Sequence, residues 1–177
     1  MKTMWIGVAL IAACGSGGDG NAKWIDAKLV STTVDAKGVK VRVDIPQGLP
    51  ENKESMVGPD WHVQPIGAAG PRITIRVRDK TFKSVEELAR DVEPDAQRFD
   101  LVEITKQAQP DGKLTYVSSV KGNRHLDVTV WLPLDETRGI EGTCHWYAGP
   151  DSKETKTPDK PLLDWLAKVC DSIKPEA

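Results

Sequence analysis

Apolar and polar residues alternate strictly over Val39–Ile45, with Val39, Val41, Val43 and Ile45 on one side and Lys40, Arg42 and Asp44 on the other. A sustained period of two predicts a strand buried on one face. Lys28–Val34 precedes it across Asp35-Ala36-Lys37-Gly38, a glycine-containing gap that predicts a hairpin. The same alternation returns at Ile73, Ile75 and Val77, opposite Arg72, Thr74, Arg76 and Arg78. Between them, Pro46–Gly70 holds four prolines and four glycines and no sustained period. It predicts a long surface excursion with one short strand near Trp61–Val63, and loops of this length are often functional.

The period then changes. Ser84-Val85-Glu86-Glu87 is a capping box, and Val85, Leu88, Ala89 and Val92 follow on one helical stripe that Pro94 ends. Leu101–Gln107, Lys113–Lys121, Arg124–Leu132 and Ile140–Tyr147 read as four strands separated by short turns. Such short connections force antiparallel neighbours, so the segment predicts a meander. Within it Leu126, Val128, Val130 and Leu132 share a face. Pro161 then introduces Leu162, Leu166, Val169 and Ile173, the core stripe of a closing amphipathic helix. The expected class is α+β: a central antiparallel sheet of about six or seven strands with helices packed on it, since each apolar face must be covered.

Composition narrows the function classes. The 177 residues are 39% hydrophobic and 28% charged, the balance of an ordinary globular domain. A net charge of −2 gives no general pull toward nucleic acid, and none is expected as a partner.

The N-terminus changes the picture further. Lys2 is followed by a ten-residue apolar run, Met4–Ala13, too short for a permanent span, which needs roughly 20 residues. It reads as the core of a cleaved secretory signal. The tetrad Ile11-Ala12-Ala13-Cys14 resembles the bacterial lipobox. That resemblance implies removal of residues 1–13 and lipidation of Cys14, through which the chain would meet the membrane. Multiple acyl chains anchor stably where one binds only marginally. Gly15, rather than aspartate, follows the cysteine, which in lipoproteins implies the periplasmic face of the outer membrane where a host has two membranes. Residues 14–22 are glycine-rich and read as a flexible tether, leaving 23–177 as a single domain.

Export alters the reading of the other two cysteines. Outside the cytoplasm thiols tend to pair, so Cys144, on a strand pattern, and Cys170, on the last helix pattern, are expected to form a disulfide.

The order of elements from Trp24 to Lys174 is similar to that of the PsbP-like family. The likeness is carried by Val39–Ile45 running into Pro46-Gln47-Gly48-Leu49, by the helix at Ser84–Val92, by the meander and by the terminal helix at Leu162–Ile173. It implies an α/β/α sandwich and a role in binding partners rather than in catalysis. No functional residue of the family maps onto this chain.

Candidate chemistry is sparse. Cys144 and His145 are neighbours on a strand and point to opposite faces, so they form no nucleophile–base pair. His125 and Asp127 share a face but have no nucleophile in the pattern; a solvated polar face accounts for them. The sequence contains no metal-ligand spacing and no glycine-rich phosphate loop opening a helix. Neither a metal nor a cofactor is expected. Arg72, Arg76 and Arg78, with Lys80 in phase, make a basic stripe that suits acidic lipid headgroups, a polyanionic glycan or an acidic partner, or is simply a solvated or ion-paired strand face. Trp131, Trp146 and Trp165 read as core, whereas Trp61, beside His62 in the long loop, reads equally as core or as an exposed platform.

The expectation is therefore a non-enzymatic, lipid-anchored envelope lipoprotein that binds another envelope component, with an envelope protein as the expected partner. The alternative is capture of a glycan or lipid in a groove between the Pro46–Gly70 loop and the sheet. A hydrolase built from scattered acids is the least supported class.

Overall fold

The computed structural model describes residues 20–63, 69–92, 101–120, 125–148 and 159–176. Helix α1 (Gly20–Ile25) leads into β1 (Leu29–Ala36) and β2 (Val39–Pro46). These two strands pair antiparallel and in full register, from Leu29 opposite Pro46 to Ala36 opposite Val39. Lys37 and Gly38 both have positive φ, the two-residue turn whose twist matches the strands it joins. The Gly38 amide donates to Asp35 Oδ1 at 2.7 Å, which ties off the turn.

Next come β3 (Asp60–His62), β4 (Gly70–Arg78), α2 (Val85–Val92), β5 (Leu101–Ala108), β6 (Leu114–Val120), β7 (His125–Pro133) and β8 (Gly139–Tyr147). Helix α3 (Lys160–Asp171) and the short β9 (Lys174–Pro175) close the chain. The fold is α+β, as expected, and the predicted short strand near Trp61 is β3. Strands β3 to β8 form one six-stranded antiparallel sheet in the order β3-β4-β8-β7-β6-β5.

Six strands is the size expected of the central sheet. The β1–β2 hairpin does not join the central sheet; it pairs with β9 in a separate three-stranded sheet. Alternation specifies which side chains of a strand are buried, not which neighbour its edge finds. Either arrangement buries Val41, Val43 and Ile45, which here enter the same core as Ile73, Ile75, Val128 and Val130 of the large sheet.

That core also takes Leu162, Trp165, Leu166 and Val169 from α3. Ser172, at the end of α3, accepts the Asp44 amide of β2 at 2.8 Å and so fastens the helix to the small sheet. The Cys144–Cys170 disulfide links β8 to α3 across a Cα separation of 5.7 Å, and both residues are fully buried.

Helix α2 covers the opposite face of the large sheet. The Ser84 hydroxyl accepts the Glu87 amide at 3.3 Å, and the Glu87 carboxylate accepts the Lys83 amide at 2.8 Å, so the reciprocal cap lies one residue earlier than the box pattern implies. Val85 and Leu88 pack there with Leu114, Tyr116 and Trp131, and Phe82 meets the Trp131 ring edge-on at 4.7 Å between centroids. Helices therefore lie on both faces, but α2 covers only the β5–β6–β7 end. Among the described residues, no helix covers the β4–β8 end of that face.

Candidate functional site

Alternation along β4 sends Ile73, Ile75 and Val77 into the core and Arg72, Thr74, Arg76 and Arg78 to the uncovered face. The registers of β4–β8 and β7–β8 place Thr143, His145 and Glu141 beside them, and then Thr129 and Asp127. With α2 as one wall, these side chains line an open cleft of about 580 Å³. This lies within the roughly 300–1,000 Å³ range of small-molecule sites.

Carboxylates hold the basic stripe in place. Asp60 on β3 is fully buried and accepts Arg72 Nε at 2.9 Å, Arg72 Nη2 at 3.0 Å, Thr74 Oγ1 at 3.0 Å and Asn52 Nδ2 at 3.2 Å. Burial alone would push its carboxyl up, but the hydrogen bonds from Arg72, Asn52 and Thr74, with the Arg72 charge, together hold it below the usual aspartate value. Glu141, only 4% exposed, sits between Arg76 and Arg78. Arg78 is shared with Asp91 of α2 at 2.8 Å, and Lys80 bonds the same carboxylate. Burial opposes the charge on Arg78, yet Glu141 and Asp91 outweigh it and hold the guanidinium more firmly protonated than usual. Asp91 is lowered in turn, with Lys80 and Arg78 overcoming its desolvation.

Arg76 differs from its two neighbours. Its Nη1 lies 3.7 Å from Glu141 Oε1, beyond hydrogen-bond range, and its Nε is buried with no partner among the described residues. Its side chain is nonetheless 42% exposed to the cleft.

A second feature joins β7 to β8. His145 Nδ1 lies 2.6 Å from Asp127 Oδ1, each side chain about a quarter exposed, with the His125 ring 5.2 Å from that of His145. Sequence reasoning weighed Asp127 against His125 on its own strand and missed the histidine directly across the ladder. The signal that finds it is register: Asp127 stands opposite His145 once the Asp135–Gly139 turn is counted through.

The remaining expected site residues fall elsewhere. Trp61 is 5% exposed and belongs to the main core, so it is not a platform; it stands opposite Ile73 on the apolar side of β4. His62 is buried too, with Nδ1 3.4 Å from Asp60 Oδ2. The cleft is walled by β4 to β8 and α2 rather than by the Pro46–Gly70 loop. The loop's part is indirect, since it presents Asp60 to Arg72. Cys14 lies outside the described residues.

Among the described residues no group of three or more His, Cys, Asp or Glu is arranged to hold a metal ion. None of the described helices is long and apolar enough to cross a membrane. No protein-family model matches the chain, and no curated protein matches it.

Proposed function

We propose that this chain is an exported lipoprotein, anchored through Cys14, that serves as a non-catalytic binding module for another component of the cell envelope. The leader and lipobox-like tetrad support the address, and the PsbP-like order of elements supports binding rather than catalysis. The observation that carries the binding role is the cleft beside β4. It combines guanidinium groups, hydroxyls and an imidazole on one sheet face, with buried Asp60 fixing Arg72 and buried Glu141 fixing Arg78 from behind. Side chains immobilised in this way lose less entropy when a partner docks. Capture of a lipid tail in this cleft is disfavoured by the charge along its floor, whereas a polar partner suits it.

Photocrosslinking from a reactive side chain placed at Thr143, in the intact envelope, tests the proposal. The expected result is a discrete adduct with an envelope component that is lost when Arg76 is replaced. The contrary result is turnover of a substrate by the purified protein, abolished by a single side-chain change in the cleft.

A further inference from the structure

The charges lining the cleft balance. Arg72, Arg76 and Arg78 face Asp91, Asp127 and Glu141, and both Nε and Nη2 of Arg72 are occupied by Asp60 behind it. Arg78 is likewise committed to Glu141 and Asp91. Arg76 is the exception, partly exposed and making no side-chain hydrogen bond among the described residues.

A cleft with one guanidinium held only by a 3.7 Å ion pair, and with no surplus positive charge, suits a single negative charge better than a dianion such as phosphate. Around Arg76, the half-buried Thr143 supplies a hydroxyl that both donates and accepts, the more deeply set Thr129 adds a second, Thr74 can only accept because its proton goes to Asp60, and His145 adds a ring nitrogen. Val92, Leu101 and Val120 form an apolar wall. The complement is a ligand with one carboxylate, several hydroxyls and a C–H-bearing face.

Resting on the binding-module reading above, we infer that the cleft recognises a hydroxylated monocarboxylate of the sugar-acid class, with its carboxylate on Arg76 and its hydroxyls on the threonine row. Such a group reaches the site either as a free sugar acid or as a uronic acid residue of an acidic polysaccharide. The ligand's carboxylate supplies the close hydrogen-bonding partner that Glu141, at 3.7 Å, does not, and planar pairing favours arginine over lysine at this position.

Calorimetry on the purified full chain tests this with glucuronic acid, glucose, inorganic phosphate and a galacturonic acid trimer as probes. Glucuronic acid is expected to bind at least about tenfold more tightly than glucose or phosphate. Arg76→Gln should weaken it by about tenfold or more, and Arg76→Lys by less. Lys168→Gln, on the exposed side of α3, should change nothing. In the unaltered protein, amide NMR shifts should move at Thr143 and His145, a readout independent of any variant's folding. Tighter binding of the trimer than of the monosaccharide assigns the polysaccharide; equal binding per carboxylate assigns the free acid. Absence of binding by both uronates, equal binding of phosphate, or equal effects of R76Q and K168Q overturns the inference. If the Thr143 crosslink persists while uronates fail, the ligand class alone is wrong; if both fail, the binding-module reading falls with it.

Discussion

Arg72 grips Asp60 with two parallel hydrogen bonds, Nε to Oδ1 at 2.9 Å and Nη2 to Oδ2 at 3.0 Å, and the carboxylate has no exposure to solvent. The pair is asymmetric, because the arginine side chain is 48% exposed and can fall back on water. Removing the cation is therefore the more damaging change. Arg72→Ala should destabilise the domain by about 2 kcal/mol, because a buried carboxylate loses charged donors. Asp60→Asn turns one NH2 toward these donors, but the Thr74 hydroxyl can rotate to accept it and the exposed Arg72 can hydrate, so it should cost less, about 1 kcal/mol. Urea denaturation of the two variants checks the order, and equal losses would contradict it.

The same carboxylate sets an acid limit. Asp60 and Asp91 are both held below the ordinary aspartate value, so each contributes stability that is fully present above the unfolded-state pKa, about 3.9. That contribution is lost as pH falls through the lower folded-state values. Unfolding free energy should thus be flat from about pH 7 down to pH 5 and decline below about pH 4. Asp60→Asn should shallow the decline. Denaturation midpoints measured across that range, with the disulfide intact, decide the point.

Cys144 and Cys170 bridge a sheet and a helix at a sequence separation of 26, and neither is exposed. On the chain-entropy account, a loop of this length gives about 3.5 kcal/mol. The Cys144→Ala/Cys170→Ala double variant should lose stability in that range, while native protein should resist mild reductant until it unfolds. Non-reducing peptide mapping, with and without prior unfolding, reads both.

Gly139 shows how closely the Trp131 ring is packed against β8. A Cβ there would lie 2.1 Å from Trp131 Cζ2, and Trp131 is itself 1% exposed beneath the helix. Gly139→Ala should therefore cost about 1–3 kcal/mol through overpacking. Trp131→Ala should cost about 3–5 kcal/mol through the cavity it leaves. Thermal melts of both variants check these magnitudes.

Much of this was legible along the chain, because strict alternation at Val39–Ile45 and Arg72–Arg78 and the helical stripes at Val85–Val92 and Leu162–Ile173 each specify a buried face. The separate small sheet was not legible. It depends on Lys174 and Pro175 returning to β2, a long-range pairing that two residues cannot announce. The cleft was half legible: the arginine stripe stood out, but its carboxylates come from β3, β8 and α2, distant in sequence, and the His145–Asp127 contact depends on strand register. Trp61 was ambiguous because a three-residue strand is too short to display a period.

The proposed export of the chain underlies both the proposed anchor at Cys14 and the choice of envelope partners. Intact-mass analysis of the native protein measures it directly. The expected result is a polypeptide beginning at Cys14, without residues 1–13 and carrying acyl chains that Cys14→Ala abolishes. A native polypeptide that keeps Met1 and carries no acyl group would contradict the account.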